Sequence, residues 1–197
     1  KEAKEQILKT FKKVNLTENV FNMYPHELSG GMMQRVAISS AILLNPKFLV
    51  MDEATTALDI ITEGRILDEI KLLEKDRDMT RVMITHDVSV VSSSTERVIV
   101  MYGGLILEEG KVGEVFLNPL HPYTKLLLES YPKMNDEAKY LKSIKGGLPD
   151  LKSEYKGCVF YDRCPYRKES CRLNTPALVR HGDRSVACFL AEGVLDE

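Results

Sequence analysis

Two short runs, "KFLVMDE" (Lys47–Glu53) and "TRVMITHD" (Thr80–Asp87), constrain the fold most. Each holds consecutive apolar residues with no polar alternation and ends in charged or titratable groups. Such a run predicts a strand buried on both faces, which is the pattern of a parallel sheet. Between them, "GRILDEIKLLEKD" (Gly64–Asp76) sets Ile66, Leu67, Ile70 and Leu73 on one side of a helix. Strand, helix and strand in this order predict an α/β fold built on a parallel sheet.

The flanking sequence extends the pattern. Residues 1–14 place Ile7, Leu8, Phe11 and Val14 on one helical face. A second helix is expected just after Ser29, carrying Val36, Ala37, Ile38, Ala41 and Ile42 inward. It must stop near Asn45, because Pro46 disfavours helix in the residue before it. "ERVIVMYGG" (Glu96–Gly104) reads as a further buried strand, and "LILEEGKV" (Leu105–Val112) as its hairpin return.

Past about residue 118 the character changes. "LNPLHPY", "SYPK" and "KGGLPDL" are rich in Pro, Gly and polar residues and read as loops and linkers. All four cysteines fall here, between Cys158 and Cys188. We therefore expect two segments, 1–118 and 119–197. The chain carries 44% hydrophobic and 28% charged residues, ordinary for a soluble protein of one or two domains. A formal net charge of −2 gives no overall basic field for nucleic acid. No apolar run approaches the roughly 18 residues of a membrane helix. The first residues, "KEAKEQILKTFKKV", begin in mid-helix, so the chain is expected to be a piece of a longer protein.

Three features carry chemistry. Asp52 and Glu53 close a buried strand, at the edge where open α/β sheets bind ligands. Asp52 suits Mg²⁺, and Glu53 suits an attacking water; a solvated acidic pair is the plainer alternative. His86 closes the second run and would stand at the same edge, unless it is a purely structural histidine. Ser29, Gly30 and Gly31 open a helix, where free N–H groups and the helix dipole favour a phosphate oxygen. A simple N-cap would look the same.

Their order and spacing resemble the ATP-binding cassette (ABC) family of ATPases over roughly residues 1–115. "LSGGMMQRV" (Leu28–Val36) looks like its signature motif, "FLVMDE" its Walker B, "TALD" (Thr56–Asp59) its D-loop and "ITHD" its switch histidine. Met32 stands where many members carry Gln, and Ala54 where Pro is common. Neither change removes a phosphate-contacting atom type. The resemblance implies that Ser29, Gly30, Gly31, Gln34 and Asp59 serve nucleotide, that Glu53 and His86 are catalytic, and that Asp52 holds Mg²⁺. It also implies that Ser29 and Gly31 touch ATP held by the opposing subunit of a head-to-tail dimer. No G-x-x-x-x-G-K-[ST] cradle occurs among the 197 residues. We expect that loop, and the Q-loop, upstream in a longer chain.

"NPLHPYTKLLLESYP" (Asn118–Pro132) resembles the HPY-containing extension of ATPase subunits from oligopeptide and dipeptide importers. The cysteines that follow are spaced C-x₅-C-x₆-C-x₁₆-C, without the paired C-x₂-C hooks usual for zinc. The resemblance implies that Cys158, Cys164, Cys171 and Cys188 hold a 4Fe–4S cluster. Zn²⁺, or four unligated thiols, are the alternatives. Arg163 and Arg167 could offset thiolate charge or simply lie on the surface.

Together these features imply an ATP-hydrolysing importer subunit at the cytoplasmic face of the cell membrane. Its implied partners are a second ABC ATPase (in a homo- or heterodimer), membrane permease subunits and, indirectly, an extracytoplasmic solute-binding protein; no nucleic acid is expected. Two other classes fit part of the sequence. A soluble ABC ATPase would share the early motifs but not the cysteine extension. A metal-dependent regulatory module would make ATP turnover secondary.

Overall fold

The computed structural model describes residues 1–131, 143–150, 152 and 156–191. They fall into two units, Lys1–Asp87 and Val88–Glu197. The loop readings at Pro132, Lys133 and Leu151 lie outside the described residues.

The first unit opens with α1 (Glu2–Lys13) and two 3₁₀ turns, Glu18–Asn22 and Pro25–Glu27. Helix α2 (Gly30–Ile42) follows, then β1 (Phe48–Asp52), α3 (Ile60–Arg77) and β2 (Thr80–Ile84). Helix α1 packs on α2 and buries Phe11 and Val14, the face read from the sequence. On α2 the inward face differs from expectation. Ile38, Ser39 and Ile42 are buried, whereas Ala37 and Ala41 are exposed. Ser39 can go inward because its hydroxyl donates to Val36 O at 2.8 Å, leaving no unpaired polar group.

Helix α3 buries Ile66, Leu67, Ile70 and Leu73, as its 3.6-residue period requires. Burial of each such side chain stabilises by roughly 1.5–3 kcal/mol. The helix begins four residues earlier than Gly64, because Asp59 caps it and accepts from Thr62 N at 3.0 Å. Asp78, at φ 51°, closes it in the left-handed region that Asp tolerates.

Strands β1 and β2 pair in parallel, with Phe48 opposite Thr80 and Asp52 opposite Ile84. The expectation of burial on both faces is not met. Leu49 and Met51 are buried, but Phe48 and Val50 are 58% and 53% exposed, and Val82 and Ile84 lie open on the same pattern. An apolar run reports that both faces want cover. Here the described residues of the unit cover one.

The second unit holds α4 (Val88–Ser94), β3 (Arg97–Tyr102), β4 (Leu105–Lys111), α5 (Val112–Leu117), α6 (Pro122–Glu129), α7 (Glu169–Leu173), β5 (Val179–His181) and β6 (Arg184–Val186). Its sheet is antiparallel in the order β3-β4-β6-β5, and β3 and β4 form the hairpin read from the sequence. Gly103 and Gly104, both at positive φ, make the tight turn that matches the strand twist. The cysteine segment is less loop-like than expected: it contributes β5 and β6, and β6 pairs with β4 through Glu108–Val186 and Glu109–Ser185. Tyr102, Leu107, Val159 and Phe160 form its core, with Tyr123, Leu126 and Ile144 packed against it.

Candidate functional site

In the first unit, parallel pairing brings the C-terminal ends of β1 and β2 to one edge. Glu53 N donates to Ile84 O at 2.9 Å, which continues the register by one residue past β1. His86 then reaches Glu53, Nδ1 to Oε1 at 2.9 Å. That hydrogen bond, and the charge of Glu53, raise the imidazole pKa above its ordinary value. Glu53 Oε2 is buried and has no hydrogen-bond partner among the described residues. A buried carboxylate oxygen without a donor is a seat for a water or another donor. Asp52 lies exposed beside it at the strand end.

Ser29 is the N-cap of α2 and accepts from Met32 N at 3.2 Å, with Gly30 and Gly31 as the first helical residues. Ser29 and Gly30 are exposed, so the helix N-terminus is open to an anion. Gly31 sits tight against its neighbour: a Cβ there would meet Ala57 O at 3.3 Å, and that backbone would have to give by a few tenths of an ångström.

Two residues expected to serve nucleotide are engaged within the chain. The Asp59 carboxylate caps α3, and hydrogen bonds from Thr62 hold its pKa below the ordinary carboxylate value. Gln34 donates from Nε2 to Glu53 O at 3.1 Å and accepts from Ala57 N at 3.1 Å. Thr56, not singled out in the sequence, adds a hydroxyl bond to Glu53 O at 2.9 Å.

In the second unit, Cys158, Cys164, Cys171 and Cys188 line one small cavity together with His121, Pro122 and Phe160. Burial pushes the Cys158 thiol up to about 11, and the other three thiols add to the shift. Burial likewise raises Cys164 and Cys188. Among the described residues no three His, Cys, Asp or Glu side chains are arranged to hold a metal ion. A ready-made four-thiolate site, as the sequence led us to expect, is therefore not formed. Burial opposes the thiolate form at Cys158, Cys164 and Cys188, and deprotonation and convergence of such ligands come with the metal. The donor set nonetheless fits a thiophilic centre: four soft ligands surround one cavity.

Two local devices hold this cavity. Gly157 adopts φ +98°, and any Cβ there would lie 2.3 Å from Arg172 O. That close approach lets Cys158 N donate to Cys171 O at 2.7 Å, which ties the first and third cysteines together. Arg163, a candidate for charge compensation, instead binds the carbonyls of Ile144 and Lys145 and the Tyr102 hydroxyl. Arg167 lies close enough to Cys164 to favour its thiolate, though less than burial opposes it.

The HPY run has a structural account that its sequence alone concealed. His121 is the N-cap of α6, and its Nδ1 accepts from Tyr123 N at 3.0 Å. Pro122 takes the first helical position, where no N–H is needed. Tyr123 packs within an aromatic group, its ring tilted against Tyr102 at 4.8 Å and edge-on to Phe160 at 5.3 Å.

Residues 1–56 match the family model described as ABC transporter. Residues 107–171 match the oligopeptide/dipeptide transporter C-terminal region. The chain is 43% identical to the oligopeptide transport ATP-binding protein AppD of Bacillus subtilis, covering 98% of this chain and 60% of that protein. It is 42% identical to the dipeptide transport ATP-binding protein DppD of Haemophilus influenzae, over 95% of this chain and 58% of that one. With OppD of Salmonella typhimurium, an oligopeptide transport ATP-binding protein, the identity is 40%. The chain thus spans about 60% of the length of the curated relatives it matches. Among solved structures, the dimeric bacterial ABC transporter cassette MJ0796 matches at 38% identity and TM-score 0.51, over 55% of this chain and 46% of that one. A second structure of the same cassette, bound to ADP and Pi in a post-hydrolysis state, matches at 37% identity, the same TM-score and the same coverage. Motifs, fold and relatives converge: the chain belongs to the ABC transporter ATP-binding family and carries the C-terminal region of its oligopeptide/dipeptide branch.

Proposed function

We propose that this chain is part of an ATP-hydrolysing subunit that energises import of oligopeptides, dipeptides or a related solute. The observation that carries the reading is the Glu53–His86 pair, set at one edge by the parallel strands, with the buried Glu53 Oε2 left without a hydrogen-bond partner among the described residues. Glu53 orients and deprotonates the attacking water, and His86 contacts the γ-phosphate. Asp52 would hold Mg²⁺, which offsets phosphate charge when bound.

Ser29, Gly30 and Gly31 present the α2 N-terminus to ATP held by a second ATPase subunit, in a homo- or heterodimer. ATP binding draws the two subunits together and hydrolysis releases them. Permease subunits convert that motion into transport at the cytoplasmic face of the membrane, and an extracytoplasmic binding protein delivers the solute. No helix among the described residues is long and apolar enough to cross a membrane. Residues 119–197 form the branch-specific extension. There Cys158, Cys164, Cys171 and Cys188 would hold a 4Fe–4S cluster, with Zn²⁺ the alternative; the shared cavity supports both. Such a centre supplies a cross-link for the segment around it.

The experiment is ATP turnover by the full-length subunit reconstituted in vesicles with its permease and binding protein. Peptide loaded on the binding protein should raise the rate and be accumulated in step with it. Turnover indifferent to every component, with no solute accumulated, would point to a soluble ABC ATPase.

A further inference from the structure

The side-chain amide of Gln34 has both ends engaged across long stretches of sequence. Its Nε2 donates to Glu53 O and its Oε1 accepts from Ala57 N, each at 3.1 Å. One planar group therefore joins the second turn of α2 to the residue after β1 and to the D-loop. The position it holds is a strained one: Glu53 sits at φ 49°, a conformation that side chains with a Cβ rarely adopt. Four hydrogen bonds fix it there, one of them from Thr56 N to Glu53 O at 3.4 Å. Glu53 N donates to Ile84 O, while Glu53 O accepts from Thr56 Oγ1 and from Gln34. Only the Gln34 bond comes from the signature helix.

We infer that Gln34 is a positioning residue that ties Glu53 and the D-loop to the N-terminal turn of α2, so that a phosphate seated on Ser29 fixes where the Glu53 carboxylate stands. The inference rests on the reading of Glu53 as the group facing the attacking water. Three further contacts make the connection stiff. Gly31, one turn before Gln34, lies so close to the D-loop that an added Cβ would be 3.3 Å from Ala57 O. The next residue, Arg35, donates to Gly31 O and, at 2.7 Å, to Asn15 O. The end of α2 thus cannot shift without disturbing the D-loop, and Glu53 cannot leave its strained conformation without breaking the amide bridge. In a head-to-tail dimer, the helix end of each subunit would touch one nucleotide while its Glu53 serves the other. Gln34 then couples the two sites through a single side chain.

The test uses the full-length subunit paired with its partner ATPase and Mg·ATP. Gln34→Met keeps the length and the apolar stem but makes neither bond. We expect kcat to fall by about tenfold to a hundredfold, the scale of a displaced catalytic group, with KM for ATP changed by less than about twofold. Gln34→Glu keeps the acceptor for Ala57 N but sets carboxylate oxygen against Glu53 O, and should lose at least as much kcat. Amide exchange supplies a second readout: Ala57 should stay protected in Gln34→Glu and exchange rapidly in Gln34→Met. Wild-type kcat in Gln34→Met, a loss confined to KM, or equal Ala57 protection in both variants would overturn the inference. Glu53→Gln measured alongside separates the two claims. If it keeps turnover, the role of Glu53 falls; if it is inactive while Gln34→Met is normal, the role of Gln34 alone falls.

Discussion

Arg184 places Nη2 2.6 Å from Oε1 of Glu108, a carboxylate with no solvent exposure. Glu108 also accepts from Leu120 N at 2.9 Å and from His121 N at 3.0 Å. Arg184 in turn reaches Asn118 O at 2.7 Å. One buried acid on β4 therefore fastens both the HPY turn and the hairpin strand that leads into Cys188.

Glu108→Ala should destabilise by about 3–5 kcal/mol, the usual cost of stranding one partner of a buried ion pair. Two backbone N–H groups lose their acceptor in the same step. Chemical denaturation of the full-length subunit, followed by exchange of β4 and β6 amides, measures it. A change below about 1 kcal/mol, the range of an exposed pair, would contradict the arrangement.

His121 predicts the pH response of the second unit. Burial lowers its pKa to about 4, against about 6.5 when unfolded. Below 6.5 the unfolded chain takes up a proton that the folded one refuses. Stability is thus complete above pH 6.5 and declines down to about pH 4, by up to about 3 kcal/mol. His121→Asn can keep the cap acceptor but cannot titrate. It should lower stability at neutral pH and flatten the slope between pH 6.5 and 5. An unchanged slope would remove His121 as its source.

The cysteines predict composition. Anaerobically purified protein should be brown, absorb near roughly 400 nm and carry about four irons per chain. Cys→Ser at any of the four, or Gly157→Ala, should loosen the segment after residue 156 and leave the first unit folded. Colourless anaerobic protein with one Zn²⁺ and no iron would replace the cluster by zinc.

Periodicity made much of the fold readable. The face of α3 follows from the spacing of Ile66, Leu67, Ile70 and Leu73, because a long helix repeats its pattern often enough to be unambiguous. The parallel pairing of β1 and β2 follows from their apolar runs and the helix between them. Strands β5 and β6 were not legible, since three residues carry no period. At the site, Glu53, His86 and Ser29 stood out because their positions at element ends are set by the same patterns. Gln34 acts through a distant backbone carbonyl and Glu108 through the distant Arg184 guanidinium, and no local pattern encodes a partner 19 or 76 residues away.

The central claim is that Glu53 faces the attacking water. Its most direct measure is single-turnover hydrolysis of Mg·ATP by full-length Glu53→Gln, with ATP binding followed in the same samples. The account predicts ATP retained, dimers accumulated, and cleavage slowed by at least about a hundredfold, because the amide keeps the shape but accepts no proton. Cleavage within a few-fold of wild type, with ATP bound normally, would contradict it.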